Sequence, residues 1–262
     1  MIRLFDPYQE RLVGRNYLPA DSAVVGAGQK ETVRLSGRHD EEYGVLSLLI
    51  DQEQPAQRVT LALQDGDEPV IEGVLSEAVR LLFSRRAYDL AAPVLIPSGD
   101  SLDVTFENTQ NAASHNSVFV YGLPQPLLRQ RLASIKSGGG KGRVPNVSFG
   151  YVTFDVASGD TGRRTLELPK GAWCTDHIEI VSTDSRVTVT VEETNTTLIE
   201  KISVDALQRY SEHSLALPTS IAIGDRDNVA VVAENQTGST QTVTALMPLY
   251  QRLGTLTSLT RA

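Results

Sequence analysis

Ile96-Pro97-Ser98-Gly99-Asp100-Ser101-Leu102-Asp103-Val104-Thr105-Phe106-Glu107-Asn108 returns later in the chain as Ile223-Gly224-Asp225-Arg226-Asp227-Asn228-Val229-Ala230-Val231-Val232-Ala233-Glu234-Asn235. Both stretches leave an apolar strand, pass Gly-Asp, enter an alternating strand and end in Glu-Asn. The Gly-Asp pairs stand 125 residues apart and the Glu-Asn pairs 127, a difference that a two-residue insertion accommodates. Upstream, Arg58-Val59-Thr60-Leu61-Ala62-Leu63-Gln64 matches Arg186-Val187-Thr188-Val189-Thr190-Val191-Glu192 at an offset of 128. Residues 31–35 and 165–168 occupy corresponding places further back. Landmarks repeated in one order predict a tandem duplication, since a fixed long period is the mark of repeated units.

Between the landmarks both halves change period. Val70, Ile71, Val74, Leu75, Ala78, Val79 and Leu82 recur at helical spacing, as do Leu198, Ile199, Ile202, Ala206 and Leu207. These predict helices near 69–86 and 198–210. Asp67-Glu68-Pro69 would open the first, and Asn195-Thr196-Thr197 would cap the second. Strands are expected at 31–35, 44–50, 58–63, 93–96, 102–106 and 117–121. In the second half they are expected at 148–156, 164–168, 177–181, 186–191, 220–223, 228–233 and 241–246. Short alternating strands between Gly, Asp, Asn and Ser turns describe a sandwich or jelly roll. Strands in runs argue against parallel β-α-β layering. The fold class expected is mainly all-β: two tandem jelly-roll or β-sandwich domains, each with one inserted helix.

The expected organisation is an arm over 1–25, a first domain over 26–123, a linker over 124–147, a second domain over 148–253 and a tail over 254–262. The arm carries Phe5, Pro7, Tyr8, Tyr17 and Pro19, a composition suited to lying on a partner or on its own domain. Ser137-Gly138-Gly139-Gly140-Lys141-Gly142 reads as a hinge, preceded by a short amphipathic segment at 127–135. The linker holds Arg129, Arg131, Lys136, Lys141 and Arg143 and no acid, so the rest of this −8 chain carries −13. It reads as a solvated tether; the alternative is weak contact with nucleic acid or an acidic partner.

The 262 residues suit two domains. Forty per cent hydrophobic and 21% charged residues describe a globular chain. Net acidity disfavours nucleic acid or anionic membrane as a partner for the surface as a whole. One cysteine, Cys174, excludes an internal disulfide framework. No apolar run reaches membrane-spanning length, and the start lacks a secretory pattern; a soluble product of a cytoplasm is expected.

Enzymatic constellations are sparse, and no catalytic, cofactor-binding or metal-ligating residues are assigned. His39, His115, His177 and His213 lack metal-ligand spacing. Cys174 beside Trp173 reads as a buried thiol rather than a nucleophile. Gly138-Gly139-Gly140-Lys141-Gly142 lacks the terminal Ser/Thr and preceding strand of a phosphate loop. Carboxylates cluster in loops as Asp65, Asp67 and Glu68, as Asp100 and Asp103, and as Asp225 and Asp227. They read as turn residues, with structural calcium the alternative and paired-acid catalysis behind it. Glu107-Asn108 and Glu234-Asn235 suggest an Asx-type turn closing equivalent strands.

With the repeat, strands and inserted helices in place, the chain resembles the double jelly-roll major capsid proteins of tailless icosahedral viruses and phages. The resemblance spans about 26–251 and rests on architecture: two jelly rolls in tandem, each with a helix in a late connection followed by three strands. It implies a non-enzymatic capsid shell protein, located in the virion and synthesised in the host cytoplasm. It further implies a homotrimer whose six jelly rolls form a pseudo-hexagonal tile, with arm and linker clamping other virion proteins. Alternatives are a minor virion component (decoration, spike-base or tail-associated) and a tandem carbohydrate-binding module. Aromatics at 6%, with Trp173 the sole tryptophan, weigh against the last.

Overall fold

A computed structural model of the chain describes residues 16–36, 42–54, 56–66, 69–84, 94–124, 147–194, 196–210, 216–223 and 227–251. Phe5, Pro7, Tyr8, His39, Asp67, Glu68, Asn195, His213 and Asp225 lie outside the described residues, as do positions 125–146 of the linker and 252–262 of the tail.

Among the described residues, eight strands build the first half: β1 (Asn16–Val25), β2 (Lys30–Ser36), β3 (Tyr43–Gln52), β4 (Arg58–Leu63), β5 (Ile71–Leu75), β6 (Val94–Ile96), β7 (Ser101–Glu107) and β8 (Ser114–Pro124). They form two antiparallel sheets, ordered β1-β8-β3-β6 and β2-β7-β4-β5. Successive strands alternate between the sheets except β4 and β5, which pair side by side in one of them; this is the wiring of a jelly roll. Helix α1 (Ser76–Ser84) joins β5 to β6. The short β6 pairs only with Tyr43–Val45 of β3, and α1 packs against β3 where β6 leaves it uncovered.

The second half repeats this wiring with β9 (Val147–Val156), β10 (Thr161–Thr165), β11 (Trp173–His177), β12 (Glu179–Ser182), β13 (Thr188–Glu193), β14 (Thr196–Ser203), helix α2 (Val204–Tyr210), β15 (Ala216–Ile223), β16 (Val229–Glu234) and β17 (Gln241–Gln251). One sheet runs β10-β16-β13-β14; in the other, β17 pairs with β9, β11 and β12, and β11 with β15. The counterpart of β3 is thus broken into β11 and β12. Each half closes on its own core, around Leu35, Leu48, Ile50, Val104 and Phe106 in the first and Phe154, Ile180, Val189, Val231 and Met247 in the second. Burial of such side chains contributes about 1.5–3 kcal/mol apiece.

Three expectations are corrected. The segment 1–25 is not wholly an arm, because 16–25 form β1, paired along β8. The linker is likewise shorter than 124–147, since Pro124 closes β8 and Val147 opens β9. Both helices begin later than their periodicity suggested, at Ser76 and Val204, each preceded by a bulged strand. In β5, Gly73 takes φ +59° and its N–H is held by Thr60 Oγ1 at 3.1 Å. In β14, Lys201 takes φ +41° and its N–H is held by Thr190 Oγ1 at 3.2 Å. The extra residue carries Ile71 and Val74, three apart, to the same core, so a bulged strand imitates helical spacing. Ser203 Oγ, not Asn195-Thr196-Thr197, caps α2, accepting from Ala206 N at 3.2 Å.

Hydrogen bonds fix which residues correspond. Asn108 Nδ2 donates to Val25 O at 3.0 Å and Ala112 O at 2.8 Å, while its Oδ1 accepts from Gln110 N at 2.9 Å. Asn235 repeats all three, with Val156 O at 2.8 Å, Ser239 O at 2.8 Å and Thr237 N at 2.9 Å. The Glu-Asn pairs therefore do close equivalent strands through a side-chain turn. Two other sequence matches are slipped by two residues. Arg58 faces Glu107 across the sheet, but Thr188, not Arg186, faces Glu234. Gln64 N donates to Ser101 O and Thr194 N to Asn228 O, so Asp100 corresponds to Asp227 rather than Asp225.

Replacing Asn235 or Asn108 by alanine strips a buried bracket of three bonds. Each variant is expected to lose about 2–4 kcal/mol in urea unfolding. Lys201→Gly, at a left-handed position, is expected to gain up to about 1 kcal/mol, read as a higher urea midpoint.

Candidate protein–protein interface

The two sheets of each half present different outer faces. In β2-β7-β4-β5 the strands alternate apolar with polar, as in Leu102-Asp103-Val104-Thr105-Phe106-Glu107. The outward residues form cross-strand ladders: Thr32 with Thr105 at 2.8 Å, Arg34 with both oxygens of Asp103 at 2.9 and 3.0 Å, and Lys30 with Glu107 at 3.1 Å. The second half matches this with Arg163–Glu192 and Lys201–Glu234, each at 3.2 Å. Such exposed pairs each contribute between zero and about 1 kcal/mol. They mark a face made for water.

The other sheet does not alternate. Leu48-Leu49-Ile50, Val118-Phe119-Val120-Tyr121 and Ala245-Leu246-Met247 are apolar without interruption, the signature of strands covered on both sides. In the second half the covering is seen directly. Phe154, Val156, Ala245 and Met247 belong to its own core, whereas Val147, Phe149, Val181 and Leu246 join the core of the first half, with Tyr151 and Tyr250 alongside. What covers them is α1 and the free edge of β5, packed on β9, β12 and β17. Leu75 N, at that edge, donates to Thr244 Oγ1 at 3.1 Å. Thr244 is fully buried and its hydroxyl also shares a hydrogen with Thr153 Oγ1 at 2.8 Å. A backbone donor on an edge strand is thereby satisfied by a side chain from the other jelly roll.

The residues singled out from the sequence take structural places. Asp100 Oδ1 accepts from Ser101 N at 2.7 Å and Asp65 N at 3.3 Å, a turn clamp; Asp103 belongs to the ladder. Asp227 faces Glu193, whose carboxyl is pushed above its ordinary range by burial first and by the Asp227 charge second. Asp184, in the turn after β12, is lowered to about 2 by hydrogen bonds from the Arg186 side chain and backbone. Among the described residues no cluster of His, Cys, Asp and Glu is arranged to hold a metal ion, and no helix is long and apolar enough to cross a membrane. Cys174 Sγ donates to Tyr250 O at 3.4 Å, and Trp173 Nε1 donates to Pro169 O at 2.9 Å. His115 and His177 stand on β8 and β11 in different halves. The interface residues Phe149, Val181, Thr244 and Leu246 were not singled out from the sequence; the missing alternation of their strands was the signal for them.

No family model and no curated protein matches the chain. Among solved structures it is similar to the major capsid protein P2 from bacteriophage PM2, at 11% identity over 92% of this chain and 99% of that one, with a TM-score of 0.45. It is also similar to a chain in the atomic structure of Sulfolobus Turreted Icosahedral Virus, at 13% identity over 91% and 90%, TM-score 0.47. The crystal structure of the major capsid protein of that virus gives 13% identity over 94% and 100%, TM-score 0.43. The jelly-roll assignment for this chain stands on its own strand order and register.

Thr244→Val leaves the Leu75 N–H buried without an acceptor, and is expected to cost about 1–3 kcal/mol in urea unfolding. Thr242→Val, two residues away and half-buried, removes only a surface hydrogen bond of 2.7 Å to Asp155 Oδ1 and is expected to cost less than about 1 kcal/mol. Glu193 binds its proton more tightly folded than unfolded, so its contribution is fully present below the ordinary carboxylate range and is lost as pH rises through its folded pKa. Glu193→Gln is therefore expected to raise the urea midpoint at pH 7, by no more than about 0.5 kcal/mol in stability. That gain should vanish at pH 3.

Proposed function

We propose that the chain is a virion structural protein, the shell protein of an icosahedral capsid of a virus or phage, assembling as a homotrimer whose six jelly rolls make a pseudo-hexagonal tile. One observation carries this reading: two jelly rolls of identical wiring are joined by a contact that uses different surfaces on each, the β5 edge with α1 on one and the outer face of β9, β17 and β12 on the other. A contact between unlike surfaces leaves one of each unused, and repetition closes a ring when the rotation per unit divides a circle. Three chains supply six like units for such a ring.

Other features agree. The shared register of the halves supports origin by tandem duplication. The polar ladders of the second sheet in each half suit the walls of a barrel standing in water. The concentration of positive charge in the linker, against −13 elsewhere, supports weak contact of that segment with nucleic acid or an acidic virion protein. The virion is the expected location, after synthesis in the host cytoplasm.

Light scattering on the purified full chain tests the reading. Three times the 28.5 kDa chain mass is expected at micromolar concentration. Particles should then carry the protein in hundreds of copies. A monomer at high concentration overturns the shell assignment, and tens of copies per particle would make it a vertex or decoration component instead.

A further inference from the structure

Strand β10 forms one end of the sheet β10-β16-β13-β14, and among the described residues no strand pairs with its far side. An open edge of this kind is a template for another chain. The register with β16 decides which of its backbone groups are open. Leu166 N donates to Val229 O, and Asp160 O accepts from Asn235 N. Bonded residues alternate along an antiparallel ladder, so Asp160, Gly162, Arg164 and Leu166 face β16. Thr161, Arg163 and Thr165 turn their N–H and C=O groups to the open side.

The equivalent edge in the first half is β2. Lys30 and Thr161 each face the Glu of a Glu-Asn pair, which makes Thr32, Val33 and Arg34 the counterparts of Arg163, Arg164 and Thr165. On β2 the edge-facing residues Lys30 and Arg34 are themselves charged, and Val33 between them is buried in the core. On β10 the same two edge-facing places hold threonine. Arg164 stands at the core position, yet it is exposed. Arg163 is matched to Glu192 at 3.2 Å. Among the described residues Arg164 meets no carboxylate; its Nη1 donates to Arg163 O at 2.9 Å. That carbonyl is the middle acceptor of the open edge.

We infer that Arg164 is an edge guard: its guanidinium occupies the central acceptor of the β10 edge and sets a positive charge there, which keeps a second copy of the chain from adding a strand. Two β10 edges paired antiparallel about Arg163 would set like charges against each other. An incoming N–H would also have to displace a charge-assisted hydrogen bond. The guard works on the folded chain alone and does not depend on the shell reading.

Arg164→Val installs the residue type of Val33, removes the guard and raises strand propensity. It also takes the chain from −8 to −9, a change that by net charge alone favours solubility. The variant is expected to keep a cooperative urea melt and to self-associate. Its mass by light scattering at micromolar concentration should rise at least about twofold over wild type and climb further with concentration. Adding Thr165→Arg, which copies Arg34, returns charge to the same edge and is expected to restore the wild-type mass. Arg186→Val removes an equal charge from the turn after β12 and is expected to leave the mass unchanged. Should Arg164→Val melt without cooperativity, Arg164→Thr takes its place. A folded variant at the wild-type mass, association that Thr165→Arg does not reverse, or equal association of Arg186→Val would each overturn the guard. Masses are read as ratios to wild type, so a monomeric wild type would sink the shell reading and leave the guard standing.

Discussion

Everything in this molecule that exceeds a single jelly roll depends on the seal made by the β5 edge and α1 over β9, β12 and β17. Two problems meet there and cancel. An edge strand holds backbone donors that face no partner strand, and the sheet it meets carries Phe149, Val181 and Leu246 on a face that would otherwise lie in water. Packing one on the other removes apolar area from solvent at roughly 25 cal/mol per Å². It also gives the Leu75 N–H an acceptor in Thr244. A threonine suits that position because its methyl packs while its hydroxyl both accepts from Leu75 and shares a hydrogen with Thr153.

The same wiring is held in each half by different side chains. In the first barrel the buried Gln57 donates to Gln54 O at 3.2 Å and accepts from Asn116 Nδ2 at 2.9 Å, with its amide also on Ser114 Oγ. In the second barrel Val187 stands where Gln57 stood, and the glutamine comes from β17 instead. Gln241, the counterpart of Ser114, donates to Thr237 Oγ1 at 3.0 Å and Ser239 Oγ at 2.8 Å, and accepts from Thr183 Oγ1 at 2.7 Å. Each barrel buries a glutamine amide, supplied from a different part of the chain in the two halves. Buried polar groups demand partners and are indifferent to the chain position those partners come from.

This explains what was legible in the sequence and what was not. Strand content, the two-domain division and the Glu-Asn closure could be read because they rest on local alternation and on an asparagine that closes its own turn with bonds two and four residues away. The register of the repeat could not be. Arg58-Val59-Thr60-Leu61 and Arg186-Val187-Thr188-Val189 align well as text, yet a slip of two residues in an alternating strand leaves every side chain on its proper face. Only the partner strand distinguishes the two alignments. The helix boundaries failed for a related reason. A bulge at Gly73 or Lys201 converts the two-residue period of a strand into a three-residue step, and a pattern reader takes that step for a helical turn.

The contrast between the two sheets carries the argument from fold to assembly. In β2-β7-β4-β5 and its counterpart, outward positions hold Thr, Arg, Lys, Asp and Glu, with Lys30–Glu107, Arg34–Asp103, Arg163–Glu192 and Lys201–Glu234 paired across the strands. Nothing in such a surface asks for a partner. In β1-β8-β3-β6 the residues between the core positions are Leu49, Phe119 and Tyr121, and in the equivalent sheet they are residues that the first jelly roll covers. A sequence keeps apolar residues on a strand's second face when that face is buried in the working state of the protein. Within one chain this condition is met for the second half, through α1 and β5.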